Sequence, residues 1–282
     1  MSVLQNKIDF VVLVKVTNAN PNGDPLNGNR PRTTYTGKGE ISDVCIKRKI
    51  RNRLQDMRER IFVQSAERSD DGFASLSERA SAALSSCKTN EEYAALACET
   101  WLDVRTFGQV FAFKKGDKKD GVSVPVRGPV SIHQAMSCSP VDINSMQITK
   151  SVNSEPAEKK SSDTMGTKHL VEFGLYKIKG SINVQLAEKT GFTEEDGEKI
   201  KEALRTLFIN DASSARPDGS MEVVKVYWWR HNNKIGQYSA AKVHDSLKIT
   251  QKVDVAIPAS VEDYDIVLEP LAGLEPEIIE GM

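Results

Sequence analysis

The chain has 282 residues, of which 39% are hydrophobic and 27% charged, with a formal net charge of −1. That is a globular composition, long enough for one substantial core with insertions or for two small domains. A sum so close to neutral excludes any argument for an anionic partner from overall charge, so such an argument has to rest on where the charges lie.

Four cysteines, Cys45, Cys87, Cys98 and Cys138, form no C-x-x-C pair, which argues against a disulfide framework or a structural zinc site. No signal peptide is apparent, and no apolar run approaches the ~20 residues of a membrane span. A cytoplasmic protein without cofactor or metal is expected.

Ile8 to Thr17 reads as a mostly buried strand. A loop dense in Asn, Gly and Pro follows, and Pro21, Pro25 and Pro31 bar a central strand through it. Ser42 then serves as N-cap and Asp43 as a first-turn acid for a helix with Ile50, Leu54, Met57 and Ile61 on one stripe. Lys47, Arg51 and Arg58 flank that stripe on one side, and Lys49, Arg53 and Arg60 on the other; both flanks are expected in solvent. Ten Lys/Arg fall between Arg30 and Arg60 against four acids, whereas no Lys or Arg follows Lys252. The helix N-terminus offers free N–H groups to an anion, and with Arg30 and Arg32 beside it the loop and helix read as a phosphate-backbone grip. The alternative is a solvated helix face.

Residues 64–92 look like a partly helical insertion. Thr89 caps a helix carrying Tyr93, Leu96, Ala97 and Trp101, and the aromatic segment from Trp101 to Phe111 is expected in a core. Lys114 to Gly121 reads as a charged loop tip. Residues 125–168 suggest a long protruding hairpin. Val171 to Leu186 reads as one strand or two joined at Gly180, Thr193 caps a helix through Asn210, and Met221 to Trp229 is a strand. No internal repeat is visible.

The order strand, basic helix, insertions, strands, helix, strand fits an α+β, βαββαβ ferredoxin-like or RRM-like core with elaborations. The aromatic RNP signature of an ordinary RRM is absent. Gly37-Lys38-Gly39 departs from Walker A at Arg32 and Gly39. His133, His169, His231 and His244 lack zinc-ligand spacing, and no G-x-S-x-G elbow occurs. Asp24 could bind a metal, but loop Asp is expected there as a turn former.

Asn20-Pro-Asn-Gly-Asp-Pro25, Asn29-Arg-Pro-Arg32 and Ser42-Asp-Val-Cys-Ile-Lys-Arg-Lys49 closely resemble the backbone subunit of CRISPR surveillance complexes, the Cas-seven family, and most of all its type I-C branch. Trp101 to Gly108, Gln147 to Val152 and Met165 to His169 are similar to the same branch. The resemblance implies a prokaryotic, non-catalytic subunit that oligomerises along the guide RNA (crRNA) and presents it to target DNA. Its further partners would be a large subunit and a guide-processing subunit. It implies a modified RRM palm with its first half at 1–63 and second half at 171–258, inserted helical fingers at 64–127 and a thumb hairpin at 128–170; residues 259–282, which carry none of these motifs, read from their charge as an acidic C-terminal tail. It places Asn18, Asn20, Asn22, Gly23, Arg30, Arg32, Ser42, Lys47, Lys49 and Arg51 on guide phosphates, and Thr149, Lys150, Asn153 and Met165 in an RNA-contacting thumb.

Two rival readings remain at this point. Related subunits of type III complexes cut RNA in a metal-dependent way with an aspartate after the first strand, a place that Asp24 occupies here. A structural protein whose basic helix meets an acidic partner is the other.

Overall fold

The computed structural model describes residues 2–115, 118–149 and 165–282. Its central element is β1 (Ile8–Ala19). Ile8, Phe10, Val12, Val14 and Val16 face one core, while Val11 and Leu13 face another. A strand covered on both faces needs apolar residues at consecutive positions, which is why this run does not alternate.

A small hairpin follows, of β2 (Gly23–Asp24), a 3-10 turn at Pro25–Asn27 and β3 (Arg30–Pro31), then β4 (Lys38–Ile41) and helix α1 (Asp43–Asp56). Next come α2 (Leu76–Leu84), α3 (Asn90–Thr100), α4 (Leu102–Phe107) and the hairpin of β5 (Gly108–Lys115) and β6 (Lys118–Arg127). These enclose a separate core built on Phe62, Trp101, Val104 and Phe111. The chain then forms β7 (Val130–Ile132), β8 (Ala135–Pro140), β9 (Ile143–Thr149) and β10 (Met165–Ile182). It ends with α5 (Val184–Thr190), α6 (Glu194–Arg205), β11 (Met221–Arg230), α7 (Ala240–Ser246), β12 (Leu247–Gln251), β13 (Tyr264–Leu268) and β14 (Pro276–Glu280).

The main sheet runs β14-β11-β1-β10-β8-β4, with β7 and β9 also paired to β10, and every pairing is antiparallel. Ile46, Ile50 and Leu54 of α1 and Ile200, Ala203 and Leu204 of α6 cover one face. Val243 of α7, Leu247 of β12 and Tyr264 of β13 cover the other.

Several expectations need correction. Helix α1 stops at Asp56, where Arg58 takes a positive φ of 69°, and Ile61 reaches the core from the following loop rather than from the helix. Of the two readings at Gly180, the single strand holds, and β10 runs through it. That residue lies opposite Phe10, and a Cβ there would come within 2.2 Å of the ring, so the glycine admits the aromatic instead of ending the strand. Residues 184–186 belong to α5, because Asn183 accepts the Leu186 N–H at 2.8 Å and caps a helix there.

Residues 259–282 are not a tail. β13 pairs with β12, β14 pairs with β11 as an edge of the main sheet, and Tyr264 and Leu274 are buried. Of the range expected as a hairpin, β7 and β8 join the main sheet. The hairpin itself is β9 against the start of β10, with the segment between them outside the described residues.

The insertion is tied to the sheet helices through the aromatic segment noted above. Asp103, 1% exposed, accepts from Arg51 Nε at 2.8 Å and from the backbone N–H groups of Phe62 and Val63. Arg105 makes two 2.8 Å bonds to the Asp196 carboxylate, the N3 residue of the α6 capping box. Burial pushes the Asp196 carboxyl up, but Arg105 and Thr193 outweigh it and hold the group below the usual range.

Candidate nucleic-acid interface

The loop after β1 is shaped by left-handed backbone at Asn18, Gly28 and Asn29, which explains its residue types. Gly23 is required by packing: a Cβ would meet Asn29 Oδ1 at 2.1 Å. Asn20, 4% exposed, donates from Nδ2 to the Asn29 carbonyl at 2.7 Å. Asn22 Oδ1 accepts the Ser42 N–H at 2.9 Å, and Asn22 O accepts from Arg32 N at 3.0 Å. Asn20 therefore fixes the loop on itself and Asn22 fixes it against α1, while Asn18, Asn27 and Asn29 are exposed.

The helix N-terminus is partly satisfied by its own side chains. Ser42 Oγ accepts the Cys45 N–H at 3.2 Å, and the Asp43 carboxylate takes Lys47 at 2.9 Å. Lys47, helped by the nearby Val44 N–H, holds Asp43 below the usual carboxylate range. The expectation of free N–H groups for a phosphate is thus narrowed: Ser42 Oγ takes the Cys45 N–H, and the Asp43 carboxylate puts a negative charge at the same end.

The helix cations divide sharply. Lys47 is 27% exposed, whereas Lys49 is 4% exposed and bonded to Asp211. Burial draws the Lys49 ammonium below its ordinary pKa despite that partner. Arg51 is 13% exposed, paired with Asp103 and stacked over Phe107 at 5.0 Å, and Arg53 donates to Thr206 Oγ1 at 2.7 Å. The flanks expected in solvent are largely used to join α1 to α4 and α6. Amphipathic periodicity locates the apolar stripe but not the neighbours that cover its flanks.

Arg30 and Arg32 stay accessible on the loop. Arg30 Nη1 donates to Ser145 Oγ of β9 at 2.9 Å, and Ser145 Oγ lies 2.8 Å from His169 Nδ1 of β10, so the loop is fastened to the hairpin. Arg32 Nη2 is 3.5 Å from Asp24 Oδ1, which also caps the Leu26 N–H at 3.2 Å. Asp24 thus acts as turn former and ion-pair partner, and no group of three or more His, Cys, Asp or Glu that could hold a metal occurs among the described residues.

Thr149 and Met165 face each other as the last described pair of the hairpin ladder, while Lys150 and Asn153 lie outside the described residues. The structure therefore brings together the loop, the α1 N-terminus and the hairpin base. Sequence reasoning missed Ser145 as the fastening residue and the loop after α6. That loop touches the first one where Asn20 N donates to Ala215 O at 2.8 Å, and only the turn-like Arg216-Pro217-Asp218-Gly219 marks it in the sequence.

The family model of CRISPR-associated protein Cas7 matches residues 6–269. The chain belongs to the Cas7 family. A protein of Haloferax volcanii named CRISPR-associated protein Cas7 is 26% identical over 212 residues, covering 69% of this chain and 62% of the relative, so the matched part spans less than two thirds of that protein's length. A chain of a CRISPR RNA-guided surveillance complex, pre-nicking, aligns with TM-score 0.50 and 16% identity over 83% of this chain and 81% of its own. The large antiparallel sheet with helices on its faces is thus a fold shared with that complex. No helix among the described residues is long and apolar enough to cross a membrane.

Proposed function

We propose that this protein is a non-catalytic crRNA-binding backbone subunit of a type I CRISPR surveillance complex, of the type I-C branch, several copies of which line one guide. Membership of the Cas7 family across residues 6–269 is the observation that carries this reading. The strand order β11-β1-β10-β8, with α1 and α6 on one face, supports a ferredoxin-like, RRM-like palm. On it the segment with its own core serves as fingers and the β9–β10 hairpin as thumb.

The grip is a set of side chains on fixed backbone. Arg30, Arg32 and Lys47 meet guide phosphates, and Asn18, Asn20, Asn22, Gly23 and Ser42 hold the loop that presents them. Lys49 and Arg51 act from behind by anchoring α1. Thr149, Lys150, Asn153 and Met165 belong to the thumb. Contacts confined to phosphates carry no sequence information, which suits a subunit that must accept any guide and leave bases free for target DNA. The large subunit and the guide-processing subunit are its other partners, in a prokaryotic cytoplasm.

The test is purification from the expression host with absorbance ratio and size distribution recorded before and after ribonuclease. RNA-containing assemblies that collapse on digestion are expected. Protein that stays RNA-free even when given a guide and its partner subunits would overturn the reading.

A further inference from the structure

Asp211, in the loop after α6, is one carboxylate shared by two cations: Lys49 is bonded to its Oδ2, and Arg216 Nε lies 3.5 Å from the same atom. Arg32 belongs to the same neighbourhood: its N–H donates to Asn22 O at 3.0 Å, two residues from Asn20, whose N–H donates to Ala215 O at 2.8 Å beside Arg216, and the half-buried Cys45 thiol feels both cations. Three cations thus face two carboxylates, Asp211 and the Asp24 that Arg32 reaches at 3.5 Å. The five groups carry a net positive charge.

Hydrogen bonding is incomplete in the same place. The buried Nε of Arg32 and Oδ1 of Asn20 have no hydrogen-bond partner, and the buried Nε of Arg216 has only the 3.5 Å approach to Asp211. Buried donors and acceptors are ordinarily paired, so unpaired ones in a cationic cluster point to a missing ligand. The Arg216 and Arg32 side chains remain 28% and 38% exposed, which leaves part of each guanidinium open to an anion.

Arg216 also sits on a rigid support. Ser213 N donates to Arg216 O at 2.8 Å and Arg216 N to Ser213 O at 3.0 Å, closing a tight turn. Ser220 N donates to Pro217 O at 3.0 Å just beyond it, and Asn20 N to Ala215 O fastens the turn to the first loop. A backbone already fixed in that turn has little ordering left to lose on binding.

We propose that Arg216, together with Arg32, forms a binding subsite for one phosphodiester of single-stranded RNA, so that the loop after α6 is a third segment of the interface. This rests on the RNA-binding reading above and extends it to a residue outside the loop and helix. Lys49 and Asp211 position Arg216 from behind, and a backbone phosphate supplies the negative charge that the cluster lacks.

The experiment is equilibrium binding of fluorescently labelled single-stranded RNA to the full chain across a salt series. Wild type, Arg216→Ala, Arg216→Gln and Arg216→Lys are compared, each checked by thermal unfolding. Loss of one phosphate contact should lower the slope of log K against log salt by about 0.7 per bound copy. The affinity loss should be about two- to fivefold, equal for two unrelated RNA sequences. Arg216→Lys should keep the wild-type slope. Folded Ala and Gln variants with wild-type affinity and slope would overturn the subsite while leaving the wider RNA-binding reading intact. Equal losses in Ala, Gln and Lys variants would overturn it too, since a charge contact would survive in Lys. Wild-type protein that binds no RNA would bring down both.

Discussion

The Lys49 ammonium is buried on the Asp211 carboxylate, tying the middle of α1 to the loop after α6. Lys49→Ala leaves the Asp211 carboxylate with Arg216 alone, and breaking a buried pair costs up to about 3–5 kcal/mol, so the fold should lose a large part of that figure. Lys47→Ala, whose partner Asp43 is an exposed i,i+4 neighbour, should cost about 0.5 kcal/mol or less. Denaturant unfolding of the two variants checks this. A charge-reversal test of RNA binding is therefore interpretable at Lys47, Arg30 and Arg32, and confounded by unfolding at Lys49 and Arg51.

Asn22→Ala removes the acceptor of the Ser42 N–H. An orphaned donor at the head of α1 should cost about 1–3 kcal/mol and loosen the loop that carries Arg30 and Arg32. Thermal unfolding and RNA affinity should both fall, whereas Asn27→Ala, at an exposed position outside the left-handed set, should leave stability near wild type.

Gly180→Ala should destabilise by about 1–3 kcal/mol, as overpacking does, because the added methyl meets the Phe10 ring. Phe10→Ala combined with Gly180→Ala should cost less than the two changes separately. A double-mutant cycle measures that coupling.

Lys177 donates to the carbonyls of His244 and Leu247, at 2.8 and 2.6 Å, and burial, with Lys179 adding to it, draws its pKa from 10.5 to about 8. Between those values the unfolded chain binds a proton that the folded chain has released, so this group's contribution to stability rises with pH from about 8 to 10.5. The stability difference between wild type and Lys177→Met should shift in favour of wild type across that window. A difference that stays flat would contradict the account.

Asp24 is engaged with Arg32 and the Leu26 N–H, as a turn former should be. Complementary RNA incubated with the protein and a divalent cation should remain intact, in wild type and in Asp24→Asn alike. Cleavage that disappears in the variant would establish the nuclease reading instead.

The architecture was legible wherever local signals agree with long-range packing. The β1 run, the Ser42 cap, the Thr193 cap and the β11 run each announce their element. Three features were hidden for physical reasons. Acidic residues on β13 and β14 mask strands that are held by partners distant in sequence. A glycine that admits an aromatic ring looks the same in sequence as one that ends a strand. Nor does a basic helix reveal which of its cations are already neutralised by Asp103 and Asp211, since those acids lie 52 and 162 positions away from Arg51 and Lys49. The loop of the candidate site was readable because turn chemistry is local; its third segment, around Arg216, was not.

The central claim is that this protein grips RNA through its backbone. The most direct test is the affinity of the purified chain for two unrelated single-stranded RNAs of equal length across a salt series. The account predicts equal affinities and a steep, matching loss with salt, reflecting several phosphate contacts per copy. Strong preference for one sequence, or binding indifferent to salt, would contradict it.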